Sequence, residues 1–156
     1  MSLAAAISLS IQLRDALAAE VKRARDARSV LKSMQVDALL AQASAREDFN
    51  QHSASLSESL ARALGDVASE RGLKDVTLQQ LTEWAPFEGA QLSGVFAEVR
   101  SLTAALKELD DFNQTLAERA LVFVRAYVTH LAPRPTAYGR RGTTLAPEAS
   151  THSERA

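Results

Sequence analysis

The chain has 156 residues, 46% of them apolar, with no cysteine and a net charge of -1. That size supports one domain with a real core, and without cysteine there are no disulfides and no thiolate metal sites. The near-neutral charge argues against general nucleic-acid binding, no stretch approaches the roughly 18 uncharged apolar residues of a membrane span, and the apolar start lacks the basic flank of a signal peptide, so the reading is cytoplasmic.

Residues 1–64 contain neither glycine nor proline and are rich in Ala, Leu, Arg and Glu, which predicts two long helices. The first spans about residues 3–32, with Ile7, Ile11, Leu17, Val21, Ala24 and Leu31 on its apolar side, and a break is expected near Ser33 to Val36. The second spans about Asp37 to Glu70 with Leu39, Leu40, Ala43, Phe49, Leu56, Leu60, Leu64 and Val67 as its stripe, and Gly72 supplies the left-handed stop. The alternating serines at 53, 55, 57 and 59 imitate a strand, but Leu56 and Leu60 keep helical spacing.

Thr77 with Gln80 forms a capping box, and Val76 with Leu81 the matching hydrophobic staple, so a short helix starts at Thr77 and stops near Trp84, ahead of Pro86. Trp84 reads as a plug for the bundle end. A loop through Phe87 and Gly89 is expected to lead into a last helix from Leu92 to Leu131, terminated by Pro133 and Pro135. The fold class is therefore all-α: an antiparallel bundle of three long helices and one short one over residues 1–132. Residues 133–156, mostly Pro, Gly, Ser, Thr and Arg, are expected to form a flexible, disordered tail.

Along the last helix Leu92, Val95, Val99, Leu102, Leu106, Leu109, Asn113, Leu116, Ala120, Phe123 and Tyr127 step by three and four residues, the seam a helix buries against partner helices. The flanking stripe is mostly polar at first (Phe96, Arg100, Thr103, Lys107, Asp110, Gln114). It then turns apolar at Ala117, Leu121, Val124, Val128 and Leu131. A second stripe at the end of a small domain must be covered by another helix of the same molecule, paired across a homodimer, or offered to a different protein. Asn113, the one polar residue in the first seam, reads by default as a register-setting or oligomer-setting position, with contact to a guest protein as the second reading.

Chemistry is sparse. His52, His130 and His152 have no partners at metal-ligand spacing, and the sequence holds no glycine-rich phosphate loop and no serine elbow. Asp110 and Asp111 read as a solvated helix edge, and the strip Arg25, Arg28 and Lys32 as a solvated helix face. Neither an enzyme nor a cofactor is expected. Charge is uneven: residues 1–32 carry six bases and three acids, 37–118 six and fourteen, and 119–156 six and two.

The run Leu109-Asp110-Asp111-Phe112-Asn113-Gln114-Thr115-Leu116, then Val122-Phe123-Val124-Arg125, then Pro135-Thr136-Ala137-Tyr138-Gly139-Arg140-Arg141-Gly142-Thr143, resembles the C-terminal part of the FlgN family of flagellar export chaperones. In that family a helix with a Leu-x-x-x-Asn run precedes a proline-containing linker and a Tyr-Gly-x-x-Gly tail; Asp110 here stands near the position where a second asparagine often lies. The resemblance implies a helical chaperone of flagellar type III secretion that binds hook-filament junction proteins of the FlgK and FlgL class. It implies client binding by the last helix, here Leu116, Leu121, Val124, Val128 and Leu131. It also implies docking on the cytoplasmic domain of the FlhA export gate through Tyr138; by their charge, Arg140 and Arg141 beside it are expected to add electrostatic steering toward an acidic surface. The alternative is a structural bundle or coiled-coil adaptor with no secretion role.

Overall fold

With no glycine or proline up to residue 64, nothing interrupts a helix there, and a helix satisfies the backbone polar groups of so long a run within itself. The computed structural model describes residues 3–131, which form four helices: α1 (Leu3–Ser33), α2 (Val36–Ser69), α3 (Leu78–Trp84) and α4 (Pro86–Leu131). No strand occurs among the described residues. The chain packs as two units, Met1–Arg119 and Ala120–Ala156, divided within α4. The expected flexible tail, residues 133–156, lies outside the described residues.

The break between α1 and α2 falls where expected, and Met34 makes it by adopting φ 53. A left-handed conformation is uncommon for a residue with a side chain. α2 closes through Gly72, at φ 68: the Leu73 N–H reaches back to the Ala68 carbonyl and the Gly72 N–H to that of Ser69, each at 3.0 Å. This pair of bonds is a Schellman closure. The Thr77 box is complete, with the Thr77 N–H donating to Gln80 Oε1 at 2.9 Å and the Gln80 N–H to Thr77 Oγ1 at 3.2 Å. Val76 and Leu81 share one apolar cluster, as the staple requires.

The expected loop from Pro86 to Gln91 is absent. Only Ala85 separates α3 from α4, and Pro86 opens α4 instead of merely ending α3. Proline suits the first helical position, where its missing N–H would have had no partner and its fixed φ is already helical. Phe87, on this opening turn, is 79% exposed. α4 thus has 46 residues and is roughly 69 Å long at 1.5 Å per residue.

Within the first unit the core has three parts. Ile7, Val67, Leu81 and Leu92 pack together, with Trp84 and Phe96 against them; Phe96 therefore belongs to the core and not to the solvated face its stripe suggested. Trp84 also has Arg71 stacked over its ring at 4.3 Å. Ala6, Leu60 and Ala63 form a second cluster, and Leu17, Val21, Ala24, Leu106 and Leu109 a third, which Phe49 joins. The pairings give the directions: residue 7 meets 67 while residue 23 meets 45, so α1 and α2 are antiparallel. Residue 7 meets 92 while residue 24 meets 113, so α4 runs parallel to α1. Leu40, expected in the α2 stripe, is exposed.

The joint between α3 and α4 is set by backbone contact. A Cβ added to Gly89 would lie 2.5 Å from Thr82 Cα and 2.6 Å from Thr82 N. Backbone atoms cannot swing aside as a side-chain tip can, so Gly89→Ala is expected to destabilise the protein by about 1–3 kcal/mol. Thermal unfolding followed by circular dichroism measures this, with Gly94→Ala, which meets nothing within 4 Å, as the control that should not lose stability.

Candidate protein-docking face

Helical periodicity brings Leu121, Val124, Val128 and Leu131 to one side of α4, and Phe123 and Tyr127 to the adjoining side. All are exposed: Leu121 by 52%, Val124 by 40%, Val128 by 57%, Leu131 by 63%, Phe123 by 77% and Tyr127 by 68%. Val122, on the far side, is exposed as well. The first seam keeps core spacing as far as Tyr127, yet its last two members, Phe123 and Tyr127, are bare. Leu116, a first-seam residue expected to bind client along with the late stripe, is half-buried and belongs to the first unit. Tyr138, Arg140 and Arg141 lie outside the described residues.

The seam position that is polar, Asn113, contacts α1. Its Nδ2 donates to the Ala24 carbonyl at 2.8 Å, a bond across 89 residues of sequence, while its Oδ1 is buried with no hydrogen-bond partner. Next to it lies a charge network that sequence reading did not anticipate. Glu20 is only 3% exposed, although it is an acid. It accepts hydrogen bonds from Arg23 on its own helix and from Arg46 of α2, the latter at 3.0 Å. Arg46 also donates twice to Asp110 of α4, at 3.2 and 2.5 Å, so Asp110 is a structural partner and not a solvated edge. Partial burial of the Arg46 guanidinium works against its charge, but the hydrogen bonds to Asp110 and Glu20 outweigh that and raise its pKa above the ordinary value. The signal was present in the sequence: Leu17, Glu20, Val21 and Ala24 share one helical face, and an acid at a seam position needs a cation opposite it. Arg28, too, is more than a solvated charge, since it stacks over the Phe112 ring at 4.3 Å.

A cavity of about 410 Å³ opens beside this network, walled by Ala27, Val30, Leu31 and Leu39, with Arg46, Asp110 and Asn113 at its polar end. Among the described residues no group of three or more His, Asp or Glu could hold a metal ion, and no helix is long and apolar enough to cross a membrane.

In comparisons with known proteins, the sequence matches the FlgN protein family over residues 1–146. No curated protein and no solved structure matches it.

Asn113 leaves a buried acceptor unpaired, which costs about 1–3 kcal/mol, whereas its single bond to Ala24 contributes about 0.5–1.5 kcal/mol. Asn113→Leu is accordingly expected to raise stability by about 1 kcal/mol, read as a higher midpoint in urea unfolding with an unchanged slope.

Proposed function

The chain belongs to the FlgN family, a family of flagellar export chaperones and not of enzymes, and we propose that it holds hook-filament junction proteins of the FlgK and FlgL class in the cytoplasm and delivers them to the export gate. The observation that carries this reading is the exposure of Leu121, Val124, Val128 and Leu131 together at the end of α4. A monomeric soluble protein rarely leaves a contiguous apolar face bare unless the face has a partner. An amphipathic helix of an unpolymerised client has the complementary surface, and it would otherwise aggregate. Each aliphatic side chain covered in this way contributes roughly 1.5–3 kcal/mol, so a handful suffices for a complex that still releases its cargo.

In this reading the tail makes the second contact. A phenol on a chain of Pro, Gly and Thr brings an apolar ring and a hydrogen-bonding tip with few rotatable bonds, which suits Tyr138 to a shallow pocket on the FlhA cytoplasmic domain. Arg140 and Arg141 would speed the encounter with an acidic gate surface more than they strengthen the final complex. Asn113 is assigned to setting the register of the last helix, supported by its bond to Ala24.

Co-purification with a FlgK-class protein tests the client face. Leu121→Asp with Val128→Asp should abolish capture while leaving the unfolding temperature within a few degrees of the parent, because both residues are already exposed; intact capture would refute the assignment. The tail is tested separately. Tyr138→Ala should leave client affinity unchanged and weaken binding of the loaded chaperone to the FlhA cytoplasmic domain at least tenfold, measured by calorimetry.

A further inference from the structure

The exposed face of α4 carries two seams, not one. Leu121, Val124, Val128 and Leu131 repeat with spacings of three, four and three, while Ala120, Phe123 and Tyr127 repeat with three and four, one residue out of step. Each is the pattern by which a helix meets one partner helix. A one-residue offset turns the second seam by about 100° around the axis, so together the seven residues cover an arc of about 160°. A seam for a single partner is narrower. One helix laid along Leu121 and Val128 would leave Phe123 and Tyr127 in water, and the reverse placement would leave Leu121 and Val128 there.

Resting on the client-binding role proposed above, we infer that residues 120–131 insert between two helices of the bound protein, one in each seam, and do not pair with a single one. The chemistry of the occupant follows from the charges. No Asp or Glu occurs between Arg119 and Pro147, and Arg125 borders the Leu121 and Val128 edge. The partner helices therefore carry acidic residues beside their apolar stripes, placed to meet these bases. A second copy of this chain is a poor occupant, because its matching segment offers no acid to Arg125 and an antiparallel pair centred on these twelve residues sets the two Arg125 side chains near one another.

The test uses the full chain with a photoreactive phenylalanine analogue at position 123 or at position 128, mixed with a full-length FlgK-class protein and with the same protein's helical segments as separate peptides. The expected result is that position 123 and position 128 crosslink to two different helical segments of the client. Phe123→Ser with Tyr127→Ser, and Leu121→Ser with Val128→Ser, should each weaken binding of the whole client at least tenfold, and no single helical peptide should be sensitive to both pairs. Crosslinks from both positions to one and the same segment, or loss of affinity from only one pair, would overturn the two-helix arrangement while leaving client binding standing. Crosslinks joining two copies of this chain would overturn it in favour of self-association. Absence of any complex with the client would remove the client reading itself.

Discussion

A carboxylate with almost no contact with water sets the register of the bundle. Glu20 is buried in α1, and an isolated charge there would be costly enough to oppose folding. It persists because Arg46 reaches it from α2 while also holding Asp110 of α4. One guanidinium thus ties three helices at one level. Sliding α2 by a turn would leave the acid with Arg23 alone, and sliding α4 would strand the guanidinium's second fork. Apolar contacts among Leu17, Val21, Ala24, Leu106 and Leu109 supply cohesion at the same level but tolerate such slips far better, since aliphatic surfaces are nearly interchangeable. The bond from Asn113 to the Ala24 carbonyl lies one turn further on, at the same alignment of α4 with α1.

Much of this architecture could be read from the residues alone. The lack of helix breakers before residue 65, the Thr77 and Gln80 pair and the glycine at 72 are local signals, and local signals survive folding because they depend on a few neighbours in sequence. The start of α4 was misread because a proline looks the same whether it ends one helix or opens the next; what decides is the backbone contact at Gly89, which lies in the tertiary structure. Glu20 and Arg46 were missed for a related reason. Their partners lie 26 and 64 residues away in sequence, and periodicity identifies a face without naming what lies opposite.

The exposed apolar face of α4 shows the same limit from the other side. Sequence placed Leu121, Val124, Val128 and Leu131 on one stripe correctly, but a stripe alone reads identically whether it is enclosed or bare. Extending the first seam through Phe123 and Tyr127 to the core was natural by spacing and fails on exposure. In the first seam the spacing continues past Ala120 while the coverage stops, and coverage belongs to the whole fold.

The glycine at the α3–α4 joint has a consequence for descent. Where two main chains touch, no compensating change in a neighbouring side chain can make room for a methyl group, so drift at position 89 is opposed by the backbone itself for as long as one residue links the two helices. A larger residue there is most easily accommodated when the linker at Ala85 lengthens in the same step, so the two positions are constrained as a pair and not singly.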